Sequence, residues 1–513
     1  QGDWSSDVCS SDLEQAHDLH APRDVAALQL PLQPREATLP LEADTEGPDH
    51  QRTQQEPHER APTWGPRGRV RRRARTARHV RRCSTSARVL SVSASPDLAY
   101  PCRRLVVPRS GCYPFRPVPS KRYIVQTFGC QMNVHDSRRI EEVLLSDGYE
   151  PTEDATLADL VVVNTCSVRE KAEHKLMSLL GTLRILKEQR PGVAVAVAGC
   201  VAQQEGERLL KKAPVIDLVI GPDNIPELPG LLRELETGAP PRARTEFDLD
   251  DPRFLVAKPR DGRPEVTGFV TVMKGCDERC TFCIVPTTRG PERYRSEREI
   301  VDEIAKMVEG GIREITLLGQ TVNSWYDPTE LDAKPRSKTA PSGSRFAQLL
   351  RRIADEVPDL ARLRYTSPHP RHLTEELMDA HADLPILPRH VHLPVQSGSD
   401  RVLRRMARRY TRQEYVERTA RLRDKVPGLT LSTDIIVGFP GETEEDFQET
   451  LSLVREVGFV TAFCFKYSQR PFTPALQLGD DVTEDQKDDR LQRLFEVLAA
   501  QQTAHLASLV GTT

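Results

Sequence analysis

The chain has 513 residues, enough for two or three domains, and its 38% hydrophobic and 29% charged residues suit a polypeptide with a sizeable core. No apolar run approaches the roughly 18–20 residues of a membrane span, and a net charge of -3 carries no global nucleic-acid signature, so any RNA contact must come from local patches. Eleven cysteines without a secretory signal point to reduced thiols in a cytoplasmic setting, where clustered cysteines bind metal more often than they pair.

Residues 1–120 carry eighteen Arg and no Lys, ten of those Arg lie between Arg67 and Arg88, and Pro and Gln are scattered without helical or strand period. A disordered tail, an RNA-binding arm and a transit peptide can all be Arg-rich, but the acidic residues at the start argue against the last. The opening Asp3-Trp4-Ser5-Ser6-Asp7-Val8-Cys9-Ser10-Ser11-Asp12-Leu13 resembles the in-frame translation of a DNA-sequencing adaptor. The stretch is therefore expected to be a non-native leader, and Cys9, Cys83, Cys102 and Cys112 carry no functional expectation.

From Lys121 the pattern turns regular. Strand-like runs at Tyr123–Phe128, Leu160–Asn164 and Val193–Ala198 alternate with helix-forming sequence, Val215–Ile220 adds a fourth, and together they predict a parallel α/β domain over 121–245. The first three runs each end within two residues of a cysteine: Cys130, Cys166 and Cys200. Spacings of 166 − 130 = 36 and 200 − 166 = 34 residues, about one βαβ unit each, put the three thiols at equivalent points of successive units. They are expected together at the carboxyl edge of the sheet, with Gly129 and Gly199 letting the backbone turn tightly beside a cluster. A lone cysteine in such a place is usually an inert core residue; three in the same placement read as a metal site, a cube with one open iron.

Thr237 to Glu265 is rich in Pro, Arg and Asp, and 246–265 is read as a linker. Six apolar runs then recur with helix-like spacers: Gly268–Lys274, Glu314–Leu318, Leu363–Thr366, His390–Val395, Leu429–Gly438 and Thr461–Tyr467. They predict a partial (β/α)6 barrel over 266–490, whose site lies at the carboxyl ends of the strands. Asp327–Ser344 reads as a surface insertion, Asp485 to Leu509 as an amphipathic helix, and 491–513 is set off as the terminal-helix segment.

After the first of these runs comes Gly275-Cys276-Asp277-Glu278-Arg279-Cys280-Thr281-Phe282-Cys283. Three thiols at C-x3-C-x2-C can hold three corners of a 4Fe-4S cube and leave one iron open to a ligand. The competing site is a Cys3His zinc, with His369, His390 or His392 as fourth ligand, but zinc loops usually pair their cysteines twice. The spacing resembles that of the radical S-adenosylmethionine (SAM) enzymes, so the polar or Gly-containing segments after the other strands become candidates to hold SAM, with Phe282, Gln320, Ser367, Gln396 and Gly438 as the named residues. Arg401, Arg404, Arg405, Arg408, Arg409 and Arg412 read as one basic helical stretch near that face, and Arg404, Arg405 and Arg408 are the expected phosphate contacts to RNA.

The ordered motifs Asn164-Thr165-Cys166-Ser167-Val168-Arg169, Gly275 to Pro286, Thr316-Leu317-Leu318-Gly319-Gln320, His392-Leu393-Pro394-Val395-Gln396-Ser397-Gly398-Ser399 and Gly438-Phe439-Pro440-Gly441-Glu442-Thr443 resemble the radical-SAM methylthiotransferases over 121–510. They are most similar to the tRNA branch, which makes 2-methylthio-isopentenyladenosine. The resemblance implies that Cys276, Cys280 and Cys283 hold the 4Fe-4S cluster that cleaves SAM. It implies that Cys130, Cys166 and Cys200 hold a second, auxiliary 4Fe-4S cluster carrying the sulfur. It also implies two uses of SAM, one as methyl donor and one as source of the radical that activates the adenine carbon. Inserting sulfur into an aromatic C–H bond lies beyond side-chain acids and bases, so cofactors must carry it. Expected partners are a tRNA bearing isopentenyladenosine, SAM, a low-potential electron donor and a sulfur source, with no membrane and a monomeric cytoplasmic enzyme. The family usually ends in a small RNA-binding β-barrel, TRAM, which is not found before Thr513, so weak tRNA affinity is expected. Two other readings stand beside this one: a sister methylthiotransferase acting on threonylcarbamoyladenosine or on a ribosomal-protein aspartate, and a non-catalytic zinc or redox-binding protein.

Overall fold

Near-continuous apolar runs such as Leu160–Thr165 form strands buried on both faces of a parallel sheet. The computed structural model describes residues 120–167, 170–249, 254, 265–329 and 344–511. Its first sheet comprises β1 (Arg122–Phe128), β2 (Glu150–Pro151), β3 (Leu160–Thr165), β4 (Ala194–Gly199), β5 (Leu218–Ile220) and β6 (Arg242–Arg244), all parallel, in the order β2-β1-β3-β4-β5-β6. Alternation sends Val161, Val163, Val195, Val197 and Val219 into one core and Leu160, Val162, Ala196, Leu218 and Ile220 into another, so both faces are covered. Register finishes the arrangement: Phe128 pairs with Thr165 and Thr165 with Gly199, so β1, β3 and β4 end level and each hands the chain to a cysteine. The edge strands β2 and β6 had no counterpart in the sequence reading, because two or three residues that are exposed or half-buried carry no apolar signature.

Next come β7 (Thr267–Thr271), a short antiparallel pair β8 (Met273–Lys274) and β9 (Arg293–Tyr294), and then β10 (Glu314–Leu318), β11 (Arg362–Tyr365), β12 (His390–His392), β13 (Thr430–Val437) and β14 (Thr461–Lys466). The six expected runs all become strands, but not one continuous ladder: β11-β10-β7 and β12-β13-β14 form two three-stranded parallel sheets. The break falls at β12, a three-residue strand between Pro388 and Pro394, neither of which has an N–H to donate. One core, including Ile315, Leu317, Leu363, Val391, Leu431 and Ile435, fills the space enclosed by both sheets and their helices. Ser296, Thr411, Thr443 and Thr483 each cap a helix reciprocally with the residue three positions on, fixing where those helices begin.

The leader expected over 1–120 lies, apart from Ser120, outside the described residues, as do 330–343 of the expected insertion and most of the linker. The terminal helix is Glu484–Leu509, one residue longer than the expected Asp485–Leu509 and spanning the bound at 491, and buries the stripe Lys487, Arg490, Leu494 and Leu498. There Arg490 Nη1 meets Glu442 Oε2 at 2.9 Å, and the Gly438 N–H donates to the same oxygen at 2.6 Å, while Glu442 Oε1 has no partner among the described residues. Burial pushes the Glu442 carboxyl up to about 7, outweighing the Gly438 N–H and Arg490. In the folded chain it holds its proton to a higher pH than when unfolded, so its contribution to stability is full below about 4.5 and is lost as pH rises through 7. Urea midpoints at pH 5 and pH 8 test this: the wild-type protein should weaken by up to about 3 kcal/mol across that window, and Glu442→Gln should flatten the slope. A Gln variant with the wild-type slope rules Glu442 out as its source.

Candidate active site

At the carboxyl edge of the first sheet, Cys130 begins the turn into helix Gln131–Ser146, Cys166 follows β3 and Cys200 opens helix Cys200–Glu205. Cys166 and Cys200 are buried and Cys130 is half-buried. A Cβ on Gly129 would lie 2.6 Å from the Cys166 Cβ, and Gly199 sits at φ 90° with its Cβ position 2.2 Å from Asn164 Oδ1, so both glycines are required by close approach. Asn133 and Asn164, both fully buried, brace the edge: Asn164 Nδ2 donates to the Asn133 carbonyl at 2.8 Å and to Ser137 Oγ at 2.9 Å, and Asn133 Oδ1 lies 3.4 Å from the Cys130 Sγ. The Cys130 thiol is pushed down to about 6, first by its hydrogen bond with Cys166, which outweighs burial; the Asn133 N–H and the Arg289 charge add to it. Burial pushes Cys200 up, against the nearby Arg289.

Arg289 comes from the other half of the molecule. It ends the helix Val285–Arg289 that leaves the C-x3-C-x2-C loop, and that helix packs against Cys200–Glu205. Its guanidinium is buried and donates to Asp136 Oδ2 at 2.5 Å. Asp223, also buried, takes Lys274 at 3.1 Å and Arg293, and Glu303 takes Arg139 at 3.3 Å and Arg295. Three carboxylates, Asp136, Asp223 and Glu303, thus clamp the first sheet's layer onto the barrel.

On the loop, Cys276 and Cys280 are buried and Cys283 half-buried. Burial pushes Cys276 and Cys283 up to about 12, so both stand protonated until a cation compensates them. Thr321 Oγ1, just beyond β10, lies 3.0 Å from Cys276 Sγ, and Arg408 Nη1 donates to Cys280 Sγ at 3.4 Å. Three thiols on one short loop, two of them held protonated by burial and the third beside the Arg408 guanidinium, are a donor set that fits the three-cysteine seat of a 4Fe-4S cluster.

Gln320, next to Thr321, has both amide atoms buried without a partner, so one donor and one acceptor are left to serve a bound zwitterion. Ser367 and Gln396, at the ends of β11 and β12, are held at φ 54° and 73°, a strained backbone found where a site over-determines it. Phe282 packs beside Val402, Met406 and Phe439, and Gly438 lies close against Lys487 of the terminal helix. The six arginines do not form one basic face: the helix Asp400–Arg405 ends, Ala407 turns at φ 55°, and a second helix begins at Arg412. Arg404 is exposed, Arg405 is half-buried and donates to the Pro440 carbonyl at 2.8 Å, and Arg408 is buried on Cys280. Arg408 is therefore corrected from a phosphate contact to a neighbour of the cluster seat.

Sequence reasoning also missed the parts played by Arg289 and Asn133, whose residue types look like surface or turn residues until the sheets bring them together. Glu278, His369 and His372 converge with their polar atoms within 4.8 Å. His369 Nδ1 accepts from the Arg371 N–H at 3.2 Å, which puts the ring proton on Nε2 and leaves that atom no lone pair for a metal. His390 and His392 direct their ring nitrogens to Thr430, Ser432 and Asp434 on β13.

Parallel strands ending on a C-x3-C-x2-C loop define a radical-SAM enzyme, and the comparisons agree. The Radical SAM superfamily matches residues 270–454, and the family described as "Uncharacterized protein family UPF0004" matches 122–221. The chain is 66% identical over 402 residues to a tRNA-2-methylthio-N(6)-dimethylallyladenosine synthase of Sorangium cellulosum (strain So ce56), covering 76% of this chain and 80% of that one. It is 48% identical over 403 residues to the enzyme of that name from Agrobacterium fabrum, covering 77% and 86%. A solved radical S-adenosylmethionine methyltransferase, TsrM, from Kitasatospora setae shares the fold at TM-score 0.52 and 16% identity, over 69% of this chain and 75% of that one. The chain belongs to the tRNA-2-methylthio-N(6)-dimethylallyladenosine synthase family and is a radical-SAM methylthiotransferase. No described helix is long and apolar enough to cross a membrane.

Proposed function

We propose that the chain places a methylthio group at position 2 of the isopentenyl-modified adenosine at tRNA position 37, using two 4Fe-4S clusters. The observation that carries this reading is the double cysteine edge: Cys130, Cys166 and Cys200 on one layer, Cys276, Cys280 and Cys283 on the other, clamped by Arg289 and Asp136. When bound, the clusters and SAM supply the electron, the radical and the sulfur. The chain's own residues hold the thiols, keep water from them by burial, and offer Gln320 with the strained turns at Ser367 and Gln396 to orient SAM. Arg404 and Arg409, exposed beside this face, are the proposed phosphate contacts. A low-potential electron donor, a sulfur source and a monomeric, cytoplasmic enzyme complete the proposal.

The test is modified-nucleoside analysis of tRNA from a strain lacking its own enzyme, carrying this chain or residues 121–513. The methylthio-isopentenyl nucleoside should return with both. A methylthiolated threonylcarbamoyladenosine instead would assign the chain to the sister branch, and no methylthiolated nucleoside would refute the reading.

A further inference from the structure

Arg408 is 8% exposed, and its guanidinium is fully engaged: Nη1 donates to Cys280 Sγ at 3.4 Å, Nε to Tyr410 Oη at 3.0 Å, and Nη2 to the Pro394 carbonyl at 3.0 Å. Tyr410 is anchored in turn by donating to the Val395 carbonyl at 2.8 Å, and the guanidinium carbon lies 5.2 Å from its ring centre. Among the described residues no carboxylate pairs with Arg408, in contrast to Arg289, which has Asp136. A buried guanidinium without a counter-ion is costly, and leaving such a charge unpaired costs more than most single contacts return. The partner that removes this cost is the thiolate of Cys280 as it stands when a cluster is bound.

We propose that Arg408 is a positioning residue that fixes one uncompensated positive charge on the Cys280 side of the SAM-cleaving cluster and so favours its reduced form. The proposal rests on the cluster assignment above. A cube held by three thiolates becomes more negative by one charge when it takes up one electron, and the cluster's potential responds to net charge, to hydrogen bonds on its sulfurs and to exposure. A fixed cation at hydrogen-bond distance from one of those sulfurs acts through the first two together, in a place where water does not screen it. The charge of Arg289 is already balanced by Asp136, so its effect on the cluster it faces is smaller.

The experiment is a redox titration of the anaerobically reconstituted full chain with dithionite as electron source, following the electron paramagnetic resonance signal that changes on adding SAM. Iron content and that SAM response report whether the cluster is present, and the midpoint reports Arg408. Arg408→Gln should lower the ratio of reduced to oxidised cluster at a fixed potential at least tenfold, a shift of about 59 mV for one electron. Arg408→Lys should recover most of it, and Arg298→Gln, at an exposed arginine outside the site, should leave the midpoint in place. Arg408→Met, which removes the charge but keeps a long side chain, should lower the ratio as Gln does. A Gln variant with full iron, an intact SAM response and an unmoved midpoint overturns the proposal. If the Gln variant takes up no iron, the Met variant decides, and an unmoved midpoint there overturns the proposal equally. A wild-type chain without any SAM-responsive signal refutes the cluster assignment instead.

Discussion

Replacing Cys276, Cys280 and Cys283 together by alanine is expected to halve the iron of the reconstituted chain, from about eight to about four per molecule, and to abolish SAM cleavage. Replacing Cys130, Cys166 and Cys200 should halve the iron as well, yet leave SAM cleavage detectable and uncoupled from sulfur transfer. The asymmetry follows from the two seats. Each set has its own buried arginine, Arg408 at Cys280 and Arg289 near Cys200, and its own sheet edge, so neither seat needs the other's thiols to form. Iron assay and product analysis for 5′-deoxyadenosine decide the matter. A wild-type chain that saturates at four irons, or a first triple variant that still cleaves SAM, would sink this division of labour.

Glu303→Ala should destabilise the protein by about 3–5 kcal/mol, the cost of leaving a buried charge without its partner. Glu303 is 2% exposed and faces Arg139 of the first sheet's layer and Arg295 of the barrel. Arg139 keeps Glu142, but among the described residues Arg295 keeps the Glu299 carbonyl and the Phe254 ring and no other carboxylate. Because domains rarely hold more than about 5–15 kcal/mol in all, the loss should be plain in a urea midpoint. Exchanging Arg139, Glu303 and Arg295 together for apolar residues of similar volume should cost much less, since no charge is then stranded. A single variant that loses under about 1 kcal/mol would show that the clamp is not held by this acid.

Strand positions were legible to within a few residues wherever a strand is buried on both faces, as in β3 and β10, because burial demands an uninterrupted apolar run. Edges and breaks were not legible. β6 is short and half-exposed, and the interruption at β12 depends on two prolines whose missing donors matter only once a neighbour seeks them. The basic stretch Arg401–Arg412 misled for a related reason: a helical period was assumed across Ala407, where the backbone turns left-handed. Arg408 consequently points to Cys280 while Arg404 points to water.

By itself the sequence determined the chemistry: two sets of three cysteines, one on a short loop and one repeated at βαβ spacing, the glycines beside them, and the motifs that mark a methylthiotransferase. These are local or periodic signals, and a thiol's capacity to bind iron belongs to the residue wherever it lies. The tertiary structure alone decided which charges become partners. Arg289 lies 153 positions from Asp136, and Arg139 lies 164 from Glu303. Nothing in the chain around an arginine says whether its charge will be solvated, paired with a carboxylate, or left to a cysteine sulfur. That depends on which surfaces the two sheets bury against each other, and burial is what turns an ordinary surface residue type into a clamp or a neighbour of a cluster.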